Sequence, residues 1–282
     1  MTLQDWLKHG EARLRTGPHP ERARQDAELL LQRATLMDRA ALLARANEIL
    51  LDEEASLFRR LVKRRSTGEP VQYILGEAEF YGLPFRVTSN VLIPRPETEH
   101  LVEKAIELAR KFETPRIVDV GTGSGAIAVA LAHSIPSARI TATDFSKAAL
   151  MTAERNARRN GIAERVRFLQ GDLLAPVEGE RFELIVSNPP YVADRDRTSL
   201  AVEVREYEPA IALFAGEDGL DVIRRLIPAA YAALVPGGYL LMEMGHGQWV
   251  EVKALMEAAG FANLEAVPDL QGIPRVACGE KS

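Results

Sequence analysis

Three glycines at alternate positions occupy a short loop near the middle of the chain. The loop consists of Gly121, Thr122, Gly123, Ser124 and Gly125. It follows the apolar segment 117–120 and precedes a helical segment. Glycine permits positive φ and lets a ligand approach the backbone closely beside a helix N-terminus. The loop therefore predicts a nucleotide-like ligand, although it also fits the loose dinucleotide-binding pattern and a purely structural glycine turn.

Two acidic residues follow the next two predicted strands. Asp144 ends the segment 140–143, at a place where a carboxylate can accept both hydroxyls of a ribose. The alternative is that Asp144 or Ser146 caps the helix that follows. Asp172 follows the third strand and is expected to accept an exocyclic adenine amine while Leu173 covers the ring. A simple loop turn is the alternative for this pair.

The fourth predicted strand, 182–186, ends in Ser187 followed by Asn188, Pro189, Pro190 and Tyr191. Consecutive prolines lack N–H groups and fix φ, so they stop strand pairing and leave carbonyls without competing donors. A substrate NH2 group could donate to Asn188 and to a proline carbonyl, while Tyr191 stacks on the planar group. The segment predicts a planar amine or amide substrate and favours S-adenosylmethionine over a nicotinamide cofactor. A rigid turn is the alternative.

A parallel sheet is expected to position these segments, because short apolar strands alternate with helical stretches after residue 115. The predicted strands are 117–120, 140–143, 166–169, 182–186, 239–243, 263–267 and 275–278, and the predicted helices are 126–133, 148–159, 220–234 and 250–259. This alternation is typical of an α/β, doubly wound, mostly parallel sheet that binds ligands outside the carboxyl ends of its strands. The last two strands are expected to form an antiparallel pair at the edge.

The preceding part of the chain has a different pattern. Residues 1–75 show helical periodicity without strand signals and predict a small helical domain that docks the substrate. Residues 76–96 predict a linker with a β-hairpin over 79–95, and residues 97–282 form the predicted sheet domain. The basic run 58–65 is either a solvated helix face or a docking surface for a macromolecular partner.

Composition excludes several classes of protein. The chain has 282 residues, a formal net charge of −5 and the single cysteine Cys278, so an internal disulfide and a multi-cysteine metal site are excluded. We expect no metal and no stable nucleic-acid binding through phosphate neutralisation. No apolar run is long enough to span a bilayer and the first residues do not resemble a signal peptide, so a cytoplasmic protein is expected.

Five further segments stand out beside the glycine loop: EPVQYILG (69–76), LIPRPETE (92–99), VSNPPY (186–191), YEP (207–209) and EMGHGQ (243–248). Together these segments resemble one enzyme family, the peptide chain release factor glutamine N5-methyltransferases, which are class I S-adenosylmethionine-dependent methyltransferases. The resemblance covers nearly the whole chain. It implies a Rossmann-like seven-stranded sheet and methyl transfer to the glutamine of the Gly-Gly-Gln motif of class I release factors.

The resemblance also implies roles for individual residues. It assigns cofactor binding to the glycine loop 121–125, to Asp144 and to Leu173, and it assigns the substrate-amide clamp to Asn188, Pro189, Pro190 and Tyr191. Together with the residue chemistry, it makes Asn188 and Pro189 the expected catalytic positions, with Asn188 and Asp172 also near the cofactor. S-adenosylhomocysteine is the expected product.

Other interpretations of the sequence stay open at this point. Arg95 and Glu97 either brace the mouth of the cofactor site or form a structural ion pair, and Glu243 is expected to support the crevice rather than act as a catalytic acid. A ribosomal-protein glutamine is an alternative substrate. A DNA adenine-N6 methyltransferase would need a target-recognition domain and a basic cleft. From another class, a nicotinamide oxidoreductase or a non-catalytic nucleotide-binding module is the rival.

Overall fold

The computed structural model describes residues 1–282 and divides them into two compact units. The helical unit comprises Met1–Gly76 and Leu200–Tyr207, and the sheet unit comprises Glu77–Ser199 and Glu208–Ser282. The helices are α1 (Leu3–Leu14), α2 (Ala23–Thr35), α3 (Arg39–Ala44), α4 (Asp52–Ser66), α5 (Val71–Leu75), α6 (Glu99–Ala109), α7 (Ala126–Ser134), α8 (Lys147–Arg159), α9 (Val202–Tyr207), α10 (Asp221–Ala233) and α11 (Trp249–Ala259). The strands are β1 (Glu77–Phe80), β2 (Leu83–Arg86), β3 (Arg116–Val120), β4 (Arg139–Asp144), β5 (Val166–Gln170), β6 (Phe182–Ser187), β7 (Leu234–Glu243), β8 (Phe261–Pro268) and β9 (Pro274–Lys281).

The helical unit is built around α1, α2 and α4. Helix α1 begins at a capping box, in which Thr2 and Asp5 each accept the other's backbone N–H through their side chains, and this satisfies two N–H groups that the helix leaves free. The buried Phe58 ring meets Trp6 edge-on at 6.2 Å between ring centroids. Gly10 allows this packing, because an added Cβ there would lie 2.5 Å from the Phe58 ring.

A buried ion pair ties α9 into the helical unit. Arg65 on α4 is 2% exposed, and its Nε donates to Asp26 on α2 at 2.6 Å. The Nη1 of Arg65 donates to Glu203 on α9 at 3.0 Å. Moving Glu203 away would take an anionic partner from the buried guanidinium of Arg65, which is unfavourable. This contact therefore holds the short helix α9 on the helical unit.

The sheet unit contains the mixed sheet that the sequence pattern predicts. The strand order is β5-β4-β3-β6-β7-β9-β8, with parallel pairing from β5 to β7 and antiparallel pairing of β7 with β9 and of β9 with β8. The predicted fold class is confirmed. The last strand, β9, lies inside the sheet, and β8 forms the edge.

Both faces of the sheet are buried. Neighbouring residues along each central strand, such as Ile117 and Val118 or Leu184 and Ile185, are fully buried and belong to opposite core clusters. This alternation follows from the period of two in a strand, and near-continuous apolar runs are typical of parallel sheets covered on both faces.

The hairpin is shorter than the sequence predicts. Strands β1 and β2 pair antiparallel over residues 77–86, whereas 87–95 form no strand. Val87, Val91 and Ile93 are nevertheless buried. Their apolar pattern therefore reflects burial in the core and not strand pairing, which is why the predicted hairpin over 79–95 was wrong in extent.

One buried amide joins the hairpin, α8 and the glycine loop. The Oδ1 of Asn156 accepts from the backbone N of Arg86 at 2.7 Å, and its Nδ2 donates to the carbonyls of Arg86 at 3.0 Å and Ser124 at 2.8 Å. Asn156 is fully buried. Because this one side chain satisfies three backbone groups, Asn156 fixes the loop that follows β3.

We expect Asn156→Ala to destabilise the protein, because it leaves buried backbone groups without partners at a cost of about 3 kcal/mol. Asn160→Ala is the matched control, since Asn160 donates to Pro84 from a half-buried position one turn later, just after α8. Urea unfolding followed by circular dichroism measures both. Equal losses for the two variants would show that Asn156 has no special structural role.

Candidate active site

The register of the parallel strands brings the predicted site residues to one edge of the sheet. Val120 on β3 lies opposite Thr143 on β4 and Ser187 on β6, and Ser187 lies opposite Met242 on β7. Each of these residues is followed directly by a polar or glycine-rich segment. The glycine loop, Asp144, Asn188 and Glu243 therefore stand at the carboxyl ends of four neighbouring strands.

A cavity of about 400 Å³ opens at this edge. Of the residues predicted for the site, the cavity is lined by Gly121, Thr122, Gly123, Ser124, Asp144, Asp172, Leu173, Asn188 and Pro190. Gly125, Pro189 and Tyr191 are not among its lining residues. The structure thus brings most of the predicted residues to one cavity whose volume lies in the usual range for small-molecule sites.

The glycine loop presents bare backbone to this cavity. Gly121 and Gly123 have φ of 73° and 55°, and a Cβ added at Gly121 would meet no atom within 4 Å. Gly125 differs, because a Cβ there would lie 3.0 Å from Ala153 on α8. The first two glycines therefore leave room for a ligand, and Gly125 allows α7 to pack closely against α8.

Asp144 braces the glycine loop. One carboxylate oxygen accepts from the backbone N of Gly123 at 2.8 Å and the other accepts from the backbone N of Ser146 at 2.8 Å. Ser146, and not Asp144, is the N-cap of α8, because its hydroxyl accepts from Ala149 N at 3.2 Å. Burial raises the pKa of Asp144, and the two backbone hydrogen bonds oppose that rise.

Asp172 and Leu173 follow β5 and also line the cavity. The exposed carboxylate of Asp172 is paired with Arg225 on α10. Leu173 has a positive φ of 49°, and its carbonyl accepts from the Thr143 hydroxyl at 2.9 Å. Arg225 lines the cavity as well, and no local sequence pattern indicated that it would accompany Asp172.

A hydrogen-bonded chain of buried side chains stands behind Asn188. The Nδ2 of Asn188 donates to Thr98 Oγ1 at 3.1 Å, and the Thr98 hydroxyl donates to Glu243 Oε2 at 2.6 Å. The Tyr191 hydroxyl donates to Glu243 Oε1 at 3.0 Å. Burial raises the pKa of Glu243, while its hydrogen bonds with Thr98 and Tyr191 oppose the rise. Burial and the Glu243 carboxylate raise the pKa of Tyr191, so its phenol stays a donor.

Arg95 does not form the ion pair with Glu97 that the sequence left open. Its Nη2 lies 2.7 Å from the buried carboxylate of Glu208, and Arg95 lines the cavity. Glu97 is exposed. The structural ion pair exists, but its acid is a residue distant in sequence that the local pattern could not indicate.

Besides Arg225, sequence reasoning missed three residues that line or support the site. Thr98 lines the cavity and contacts Asn188. The sequence included it only as one residue of the segment LIPRPETE (92–99) and gave it no role of its own. Phe145 is 64% exposed and lines the cavity next to Asp144. An apolar ring directly after the acid is a signal that could have been noticed, because a large exposed apolar side chain in a cavity often marks a ligand contact.

Asp119 is the third residue that was missed. Its Oδ2 accepts from the Thr122 hydroxyl at 2.6 Å and from Ala128 N at 3.2 Å, whereas its Oδ1 is buried without a hydrogen-bond partner. Burial raises the pKa of this carboxyl to about 7. Asp119 is fully buried and does not line the cavity, so it supports the glycine loop through Thr122 and holds the first turn of α7 through Ala128.

These features fit S-adenosylmethionine. The bare loop at Gly121 and Gly123 leaves space for the ligand, Asp144 offers carboxylate oxygens for a ribose, and Phe145 and Leu173 offer apolar surface for a base. No group of three or more histidine, cysteine or acidic side chains is arranged to hold a metal ion. None of the helices is both long and apolar enough to cross a lipid bilayer.

Comparison with known proteins agrees with the geometry. Residues 5–76 match the family described as PrmC N-terminal domain, and residues 98–206 match the family described as methyltransferase small domain. The release factor glutamine methyltransferase of Moorella thermoacetica is 46% identical over 98% of this chain and 97% of that relative. The protein of the same name from Koribacter versatilis is 44% identical over 98% of this chain and 95% of that relative.

Solved structures support the fold alone. The hMettl16 catalytic domain, solved with an RNA hairpin of the MAT2A 3′UTR, is 16% identical over 87% of this chain and 93% of that chain, with a TM-score of 0.59. The Thermus thermophilus 16S rRNA N2 G1207 methyltransferase, solved with AdoMet and guanosine, is 21% identical over 73% of this chain and 50% of that chain, with a TM-score of 0.55.

The mixed seven-stranded sheet, the ligand cavity at its carboxyl edge and the methyltransferase domain match define an S-adenosylmethionine-dependent methyltransferase. The identities of 46% and 44% to two relatives, each over 98% of this chain, identify one family within this class. The chain belongs to the release factor glutamine methyltransferase family, as its sequence segments indicated.

The raised pKa of Asp119 predicts a pH-dependent stability of the ligand-free protein. The folded state binds this proton more tightly than the unfolded chain, whose carboxyl has a pKa near 3.8. The unfolded chain therefore loses its proton first as the pH rises, and stability falls from about pH 4 to about pH 7. Asp119→Asn should remove the part of this fall that Asp119 contributes, so its melting temperature relative to wild type should be higher at about pH 8 than at about pH 5.

The matched control for this experiment is Asp218→Asn. The Arg224 hydrogen bond lowers the pKa of Asp218 to about 2, so this carboxyl is ionised in the folded and unfolded states at both of those pH values. Its substitution should change the melting temperature equally at both. A wild-type-like pH profile for Asp119→Asn would contradict the assignment of the raised pKa to Asp119.

Proposed function

We propose that this protein transfers a methyl group from S-adenosylmethionine to the side-chain amide nitrogen, N5, of the glutamine in the Gly-Gly-Gln motif of class I peptide chain release factors. The observation that carries the proposal is that Asn188 lines the same cavity as the glycine loop. An amide oxygen for a substrate N–H would thus stand in the cavity that fits the methyl donor. The names of the relatives at 46% and 44% identity support the release factor as substrate.

The residues proposed to hold the cofactor surround the glycine loop. Gly121, Gly123 and the loop hydroxyls would face its amino acid portion and ribose. Asp144 would accept the ribose hydroxyls with lone pairs that Gly123 N and Ser146 N leave free. Asp172 and Leu173 would meet the base. When bound, S-adenosylmethionine supplies an electrophilic methyl group on a positively charged sulfur.

Asn188 and Pro189 are proposed to orient the substrate amide. A carboxamide nitrogen is a weak nucleophile because its lone pair is delocalised into the carbonyl group. Two acceptors, the Asn188 amide oxygen and the Pro189 carbonyl, would bind both N–H groups and favour the geometry in which the lone pair is available. Holding the two reacting groups in one arrangement supplies much of the rate gain in such sites.

No strong base is needed in this mechanism. The methyl group would pass to the nitrogen as its bond to the donor sulfur breaks, and the protonated N-methyl amide formed would be acidic enough to release its proton to water. The loss of the positive charge on sulfur would be favoured by a site of low polarity. Pro190 lines the cavity beside Asn188, and Tyr191 would cover one face of the amide plane. We propose that S-adenosylhomocysteine is the product and that the reaction requires no metal. We also propose that the protein binds neither nucleic acid stably nor membranes, and that it acts in the cytoplasm, where release factors act.

We expect wild-type enzyme, incubated with labelled S-adenosylmethionine and a purified release factor, to place the label only on the Gly-Gly-Gln peptide, as read by peptide mass spectrometry. Asn188→Ala removes one amide acceptor and should lower kcat by roughly 100-fold or more. Its affinity for S-adenosylhomocysteine should change far less, because the glycine loop and Asp144 are intact.

Two controls separate the possible failures of this experiment. A ribosomal protein with an exposed glutamine tests the alternative protein substrate, and NADH tests the nucleotide-binding rival by equilibrium binding. Label on another peptide, or a ribosomal protein that is methylated faster, would overturn the substrate assignment. An unchanged rate for Asn188→Ala would overturn the role of the amide.

The helical unit is proposed to dock the protein substrate. A groove of about 280 Å³ between α1 and α4 is lined by His9, Arg13, Phe58, Arg59, Val62 and Lys63. Arg59 lies over the Trp6 ring at 5.4 Å from its centroid. Exposed cations around an apolar floor favour contact with an acidic protein surface, because complementary charge steers association.

Reversing two of these charges, with Arg59→Glu and Lys63→Glu, should raise KM for the intact release factor by roughly tenfold. KM for a short Gly-Gly-Gln peptide should not change, because a peptide that fills only the cavity has no need of the groove. The control is Arg155→Glu with Arg158→Glu on the exposed face of α8, which alters net charge equally. A rise in KM for both pairs would indicate general electrostatics and not docking.

A further inference from the structure

The two ends of the Asn188 side chain differ in what they offer a substrate. The Asn188 oxygen accepts a hydrogen bond from the N–H of a substrate amide, whereas the Asn188 NH2 group repels that N–H. Rotation of the terminal amide by about 180° exchanges the two ends with little change of shape. The proposed reaction therefore needs a contact that decides which end faces the cavity.

Thr98 has the chemistry to make that decision. A threonine hydroxyl has one proton to donate and lone pairs to accept with. The Thr98 hydroxyl lies 2.6 Å from Glu243 Oε2, a carboxylate oxygen that only accepts. With its proton directed to Glu243, Thr98 can only accept from Asn188, whose Nδ2 lies 3.1 Å away.

Glu243 is itself held in place from the other side. Its second oxygen accepts from the Tyr191 hydroxyl at 3.0 Å, and Glu243 and Thr98 are only 2% and 4% exposed. Water therefore cannot easily replace either hydrogen bond. If the Asn188 amide were reversed, Thr98 would have to donate to it, and a buried carboxylate oxygen would lose its donor, which is unfavourable.

We propose that Thr98 and Glu243 are positioning residues that fix the Asn188 amide with its nitrogen toward Thr98 and its oxygen toward the substrate. This inference rests on the proposed function, because it explains how the amide acceptor is presented. The chain of contacts joins the turn before α6, the end of β7 and the loop after β6. Tyr191 belongs to the same chain, since it occupies the second oxygen of Glu243.

The test compares Thr98→Val with Thr98→Ser. Valine keeps the shape of threonine and removes the hydroxyl, so the amide loses its orienting partner and kcat for the release factor should fall about tenfold. Serine keeps the hydroxyl and should restore kcat to within about twofold of wild type. Affinity for S-adenosylhomocysteine should be unchanged in both variants, which a general structural defect would not allow.

Glu243→Gln gives an independent test that reverses the hydrogen-bond direction. The introduced amide satisfies all its neighbours when its oxygen accepts from Tyr191 and its nitrogen donates to Thr98. Thr98 must then direct its proton to Asn188, which reverses the Asn188 amide. We expect kcat to fall at least as far as in Thr98→Val, again with cofactor affinity retained. A wild-type kcat for Glu243→Gln would contradict the inference.

The double variant Thr98→Val with Asn188→Ala tests whether Thr98 acts through Asn188, and the single variants show whether a negative result concerns this inference or the proposed function. If Thr98 acts only through Asn188, the double variant should be no slower than Asn188→Ala alone. Slow turnover of Asn188→Ala together with equal rates for Thr98→Val and Thr98→Ser would overturn this inference and leave the proposed function intact. Wild-type turnover of Asn188→Ala would overturn the proposed function and the inference with it.

Discussion

The parallel register of four neighbouring strands is the constraint on which the site depends. Because β4, β3, β6 and β7 run in the same direction and pair without offset at Val120, Ser187 and Met242, their ends lie at one edge. Residues from widely separated parts of the sequence meet there. A slip of one residue in any pairing would turn the side chains of that strand to the opposite face and break the arrangement.

Polar groups at that edge are stabilised in a common way. Asp119, Asp144 and Glu243 are acids in poorly solvated positions, and each accepts hydrogen bonds from hydroxyl or backbone donors of the same unit. The arginines at the cavity pair instead with Glu208 and Asp172. Donors without formal charge keep the three carboxylates in fixed orientations, and Asp144, which lines the cavity, keeps lone pairs for a ligand.

The sequence predicted the fold well and the site in part. All seven strands of the mixed sheet were predicted, because short, near-continuous apolar runs such as 182–186 recur between helical stretches. Local pattern could not predict contacts across the chain. The pairing of Arg95 with Glu208 and of Asn188 with Thr98 depends on register and side-chain direction, which one sequence does not encode in its spacing. The apolar pattern of 87–95 misled for a related reason, since burial without pairing gives the same signal as a strand.

The proposed chemistry explains why such a site would be built from acceptors. A neutral amide cannot be activated by removing its proton first, because a carboxylate such as that of Asp144 is far too weak a base to deprotonate an amide. Orientation is then the main contribution that the chain can make, and orientation requires side chains whose own rotation is restricted. The buried carboxylate of Glu243 holds the Thr98 hydroxyl, and the Thr98 hydroxyl holds the Asn188 amide, so each group restricts the rotation of the next. The proline backbone that follows Asn188 is restricted by its own rings. The hydrogen bonds from Thr98 and Tyr191 offset the free-energy cost of burying Glu243. In the proposed reaction, that buried carboxylate keeps the Asn188 amide from reversing and presenting its NH2 group to the substrate.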